Sequence, residues 1–218
     1  MKSLILSLSL SLAAAGAAHA GALDADLLSL AQRWDHANFE IKEPAARLTE
    51  LKKLEAEAAS LSARNPKSAD PIAWDGIITS SEAGASGGLG ALGYAKDAKK
   101  LFEKAAALNP NALGDGSVNT SLGSLYAQVP GFPIGFGDAA KAKQYLAKGL
   151  AQNPSGVDAN FFEADYLFRQ KQYAEAKKSL EAALNAPARP GREIGDKGRK
   201  AEAASLLAKV NAKLGKSS

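Results

Sequence analysis

Residues 95–110 read AKDAKKLFEKAAALNP, and residues 139–154 read AAKAKQYLAKGLAQNP. In both, a small residue, a large apolar residue, a second small residue and a proline follow one another at steps of four, three and five. The first set is Ala98, Phe102, Ala105 and Pro110; the second is Ala142, Leu146, Gly149 and Pro154. The first three positions of each set fall on one face of a helix. Small residues at the ends of that stripe let a neighbouring helix come close, and the large one fills the space between them. Each stretch closes on Asn-Pro, and a proline just past a helix end marks where the chain stops being helical. Asn65-Pro66, Asn109-Pro110 and Asn153-Pro154 stand at equal intervals, and equal spacing of identical stops marks a repeated helix-pair unit. Ala176, Leu180 and Ala183 give the small–large–small set once more.

The rest of the 218 residues agrees with a helical protein. The chain is 46% hydrophobic and 23% charged, which excludes global disorder, and only 6% aromatic. Ala, Leu, Lys and Glu dominate, a mixture that favours helix. Cysteine is absent, so disulfides, thiolate zinc sites and a Cys nucleophile are excluded. Before the repeats, Leu23–Asn38 reads as one helix, and Pro44–Arg64 as another with Leu48, Leu51, Leu54, Ala58 and Leu61 on one stripe. After them, Arg189-Pro190-Gly191 breaks the chain. A final helix from about Asp196 to Leu214 is expected to bury Ala203, Leu207, Val210 and Leu214. A stack of helix pairs needs a terminal element with a polar outer side, and this lysine-rich helix suits that role.

Leu122-Gly123 with Tyr126 supplies the first-helix half of a unit: Leu for the core, Gly for close contact, Tyr as a packing knob. Together with Ala142, Leu146, Gly149 and Pro154, this resembles the tetratricopeptide repeat (TPR). Trp74 with Ile77 gives the opening of an earlier copy, and Phe161, Ala164 and Leu167 a degenerate first helix of the last. The resemblance covers about residues 69–188. It implies an all-α fold, a right-handed α-solenoid of TPR-like helix pairs with N-terminal helices and a C-terminal capping helix, about nine helices in all. Two departures lengthen the units between their paired helices, the glycine-rich residues 83–90 and residues 129–138. The glycines of residues 84–93 lack the Lys-Ser/Thr of a P-loop and read as a flexible connector or a close backbone crossing.

The first twenty residues have the three parts of a secretory signal peptide: Lys2, an apolar run over residues 4–15, and Ala18-His19-Ala20. Cleavage after Ala20 is expected. The mature chain, residues 21–218, would then be a single exported domain, most simply periplasmic. The formal charge of the whole chain is +4. From residue 188 onward, eight Lys or Arg stand against three acids. Their helical alternation with Ala and Leu reads as a solvated face, and nucleic acid is not expected as a partner.

No catalytic motif is present, and the chain reads as a non-enzyme without cofactor or metal. His36 is the one histidine after the expected cleavage point, and a lone His on a polar face is usually solvated. Recognition candidates come from two places. In the TPR family the first helix of each pair lines a concave face that holds ligands. The resemblance puts Asp75, Thr79 and Glu82, then Thr120 and Ser124, then Asp158, Phe161, Asp165 and Arg169 on that face. These side chains either hold a peptide or small polar ligand, or face water. The Lys and Asn pattern by which some members clamp a chain end is missing. The second place is the 129–138 loop, where Phe132 and Phe136 beside Tyr126 form either a hydrophobic plug or the lid of a site.

The chain therefore reads as a binding or scaffold module for a protein or peptide partner in the cell envelope. Gly123, the residues 129–138, Asp158–Phe162 and Arg189-Pro190-Gly191-Arg192 also resemble a group of secreted bacterial repeat proteins. Some of these are related to the TatT component that accompanies TRAP-type transporters. That resemblance implies an alternative, an accessory protein binding a small organic ligand in a pocket under the 129–138 loop.

Overall fold

In the computed structural model, Asn65, Asn109 and Asn153 are the residues on which three helices end, so the evenly spaced stops are helix C-termini. The structure describes the backbone of residues 6–215 and, Leu89 apart, the side chains from residue 21 onward. The side chains of the expected leader, and its first five residues entirely, lie outside the described residues. Among the described residues nine helices follow one another: α1 (Leu6–Phe39), α2 (Pro44–Arg64), α3 (Asp70–Ser86), α4 (Gly88–Leu108), α5 (Ser117–Gln128), α6 (Ala139–Gln152), α7 (Val157–Arg169), α8 (Tyr173–Leu184) and α9 (Glu193–Leu214). The fold is all-α, with α3/α4, α5/α6 and α7/α8 packed as successive pairs, consistent with a TPR-like solenoid.

Local chemistry sets the ends. The Asp138 carboxylate accepts from the backbone N–H groups of Ala140 and Lys141 and caps α6. Glu43 does the same for Ala46 at the start of α2, where Pro44 occupies the first turn. The stretch expected as a connector, residues 83–90, is instead almost wholly helical. α3 runs to Ser86 and α4 starts at Gly88, so the extra length extends the two helices, and the turn falls on Gly87 and Gly88 with φ of 63° and 57°. Glycine is the residue that reaches this left-handed region at little cost, which explains its use at the turn.

The repeated residues take equivalent positions. Ala98, Ala142 and Ala176 are fully buried, as are Phe102, Leu146 and Leu180 between them and the next small residues. Across each pair a small residue receives the large one. A Cβ on Gly76 would lie 2.8 Å from the Phe102 ring; one on Gly123 would lie 2.6 Å from Leu146 Cγ and 2.8 Å from its backbone nitrogen. In the third pair Ala164, fully buried in one core with Leu180, takes that place.

This equivalence corrects the register of the first copy. Counting from Trp74 as the opening residue puts the glycine position at residue 78, which is Ile; the structure puts it at Gly76. Two helical residues are a rotation of about 200°. Asp75, Thr79 and Glu82 therefore lie on the buried side of α3, not on the concave face: they are 8%, 1% and 0% exposed. The Thr79 hydroxyl donates to the Asp75 carbonyl. Both Glu82 carboxylate oxygens are shut from solvent without a donor. Burial, with Glu55 nearby adding repulsion, pushes the Glu82 carboxyl up to about 7 and that of Asp75 up to about 6.

α9 begins three residues earlier than expected and buries Ala203, Leu206 and Val210, with Leu207 and Leu214 only partly covered. The basic C-terminal segment divides. Lys197, Lys209 and Lys213 face outward as expected, but Arg199 is turned in and is only 7% exposed.

Two outcomes follow from this packing. Gly123→Ala is expected to destabilise the protein by about 1–3 kcal/mol through overpacking against Leu146. Gly93→Ala on α4, with open space around it, should stabilise by roughly 0.5–1 kcal/mol through helix propensity. Urea unfolding of the two variants checks the difference. The raised carboxyls of Asp75 and Glu82 hold their protons in the folded state and lose them in the unfolded one. Stability from them is full below about pH 4 and is lost as the pH rises through 6 to 7. The melting temperature should therefore be lower at pH 8 than at pH 5, and Glu82→Gln should narrow that gap.

Candidate functional site

Gly195 and Gly198 bring the last helix onto the first. A Cβ at Gly195 would collide with the Asp35 carboxylate and one at Gly198 with the Phe39 ring, so α9 lies directly against α1. Arg192, at the start of α9, then reaches Asp35: Nε donates to Oδ2 at 2.5 Å and Nη2 to Oδ1 at 2.8 Å. Asp35 is 1% exposed. The same guanidinium lies over the rings of Trp34 and Trp74, 5.8 and 5.2 Å from their centroids. Gln32 adds a hydrogen bond to the Gly191 carbonyl.

This contact joins the two ends of the helix stack and borders a half-open cavity of about 580 Å³ on its inner face. Its lining changes character from wall to wall. α1 and α3 supply an apolar side with Leu28, Ala31, Trp34, Trp74 and Ile77. Trp34 Nε1 donates to the Ser81 hydroxyl at 2.9 Å, which fixes that indole in the wall. α5 supplies a polar side: Ser117, Thr120, Ser121, Ser124 and Gln128 fall on one helical face and all line the cavity.

The third side is charged. Asp158, at the start of α7, receives Arg189 Nη1 at 2.8 Å and Arg199 Nε at 2.7 Å. Burial opposes its charge, but Arg199 and Arg189 overcome that and hold the carboxyl below its ordinary range. Arg189 also donates to Asp196 through Nε at 2.6 Å and through its backbone N–H at 2.7 Å. Arg199 donates to Glu202 and stacks over the rings of Phe161 and Phe162, 4.9 and 4.7 Å from their centroids. Aspartates and arginines thus hold one another in fixed positions at the cavity edge. Such a surface can bind and orient a guest. Among the described residues no group of His, Asp and Glu side chains is placed to hold a metal ion.

Of the residues expected on the inner face, Thr120, Ser124 and Asp158 line the cavity. Asp75, Thr79 and Glu82 do not, for the reason of register given above. Phe161 stands beside Phe162, which is the ring that borders the space. Asp165 and Arg169 pair with each other at 2.8 Å further along α7, outside the lining. The 129–138 loop lines none of the cavity. Phe136 packs edge-on against Tyr126, which stacks on Tyr145, so this part of the loop is the plug. Phe132, in contrast, is 94% exposed. His36 pairs with Glu40 on the exposed side of α1.

Sequence reasoning passed over Trp34, Arg47 and the inward arginines Arg189, Arg192 and Arg199. The Arg-Pro-Gly-Arg segment carried a signal: two arginines fixed by a Pro-Gly turn just before a helix. The alternation of this basic segment with Ala and Leu points instead to a solvated face.

A family model described as tetratricopeptide repeat matches residues 134–190, the stretch that holds α6, α7 and α8. No curated protein matches the chain. The match supports, for this part of the chain, the tetratricopeptide-repeat reading of the small–large–small sets.

Proposed function

We propose that the protein is an exported, non-catalytic binding module that takes its recognised group into the cavity between α1, α3, α5 and α9. The observation that carries this reading is the packing of α9 on α1, which adds a further side to the half-open cavity on the inner face. About 580 Å³ lies within the range of roughly 300–1,000 Å³ usual for ligand sites. The repeat match favours a protein partner, since this repeat is typical of protein–protein interaction modules. The size of the space restricts what enters it to a few residues of such a partner or to a small organic molecule. The same cavity favours the second reading, a ligand-binding accessory of a TRAP-type transport system, with its pocket on the inner face and not under the 129–138 loop. The periplasm as its compartment rests on the leader pattern of residues 1–20.

A photo-crosslinking residue placed at Ser121 or Ser124 in the exported protein should capture the partner, and Ser121→Trp should abolish that capture by filling the space. Phe132→Ala should leave capture unchanged. The opposite pattern, capture from position 132 and none from α5, would move recognition to the loop.

A further inference from the structure

Arg47 stands apart from the other charged groups of the cavity. Asp158 is shared by Arg189 and Arg199, Arg192 is engaged by Asp35, and Glu202 accepts from Arg199. Asp70 and Asp115 each accept a backbone N–H, from Leu113 and Ser117, at 2.9 Å. These acids sit at or just before the N-termini of α3 and α5, where the helix dipole favours negative charge. Arg47, in the first turns of α2, lines the same cavity and is half-buried. Its Nε is closed to solvent and has no acceptor. Among the described residues no carboxylate pairs with its guanidinium. It is therefore the cavity-lining arginine that no carboxylate engages, and the rest of its guanidinium can take an acceptor from an occupant of that space.

The surroundings say what else the occupant carries. The same cavity is lined by Trp34, Trp74, Ile77 and Ala85 and by the α5 hydroxyls. A guanidinium presents paired N–H donors that match the oxygens of a carboxylate or a phosphate. An inorganic ion would leave the indoles and Ile77 without contact. A neutral apolar molecule would leave Arg47 without an acceptor.

We infer that the cavity takes an organic anion with an apolar body, its carboxylate or phosphate head on Arg47 and its body against Trp34, Trp74 and Ile77. This rests on the cavity being the recognition site proposed above.

The chain holds two tryptophans, and both line this space, so intrinsic fluorescence reports its occupancy directly. The mature protein is titrated with octanoate, octyl phosphate, octanol and octylamine, all below their aggregation limits. Saturable fluorescence changes are expected with octanoate, octyl phosphate or both, and not with octanol or octylamine over the same range. The anion that binds more tightly identifies the head group. Arg47→Gln should weaken that binding by about tenfold or more, with an unchanged melting temperature, and Arg47→Lys should restore part of it. Equal binding of octanol or octylamine, or unchanged binding to Arg47→Gln, would overturn the anion while leaving the cavity as a binding site. Should no probe bind while crosslinks from Ser124 still capture a partner, the inference falls and the cavity reading stands. If both fail, both fall.

Discussion

The fork between Arg192 and Asp35 is the interaction on which the rest of the molecule's inner surface depends. It joins residues 157 positions apart in the chain, and it is nearly shut from water. Taking two charges out of water is expensive, and only good geometry with further contacts repays the cost. Here the guanidinium is held in plane by two hydrogen bonds and covered on its face by Trp34 and Trp74. Glycines at 195 and 198 are what permit the approach, because any side chain there would push α9 off α1. Removing one partner would leave an unpaired charge in an apolar seam, a loss typically of about 3–5 kcal/mol.

Behind that seam the stack is built from one repeated contact, a small residue on the first helix receiving a large one from the second. Gly76 with Phe102 and Gly123 with Leu146 show it directly. Because this contact fixes how close and how far rotated each pair sits, it also decides which side chains face inward. Trp74, Ser121 and Phe162 project into the cavity from matching turns of α3, α5 and α7. Inner-face identity is therefore a consequence of where the small residue falls.

Much of the framework was legible in the residues. Three Asn-Pro stops, the small–large–small sets and the Leu stripe of residues 44–64 are local signals, and each corresponds to a helix end or a buried face. The register of the first copy is not legible, because its opening Trp74 is two residues out of step with its glycine and periodicity alone does not say which is the anchor. The glycine-rich residues 83–90 look like a loop by composition, yet neighbouring helices override that preference and leave only Gly87 and Gly88 turned. The cavity's charged side was illegible for a different reason. Asp35, Asp158, Arg189, Arg192 and Arg199 are far apart in sequence, and no local pattern reports that the two ends of the chain meet. Burial of Arg199 among Phe39, Phe161 and Phe162 is likewise a property of that meeting.

Since the seam is made by residues near 35 and near 192, order of synthesis matters to the finished surface. A chain emerging from its amino terminus can assemble the early helix pairs as they appear, each against its neighbour. The charged side of the cavity is incomplete until the last helix arrives. A protein shortened before Arg192 would keep most of its helices and present a shallower trough, without Arg192 and Arg199, which border the cavity of the complete chain.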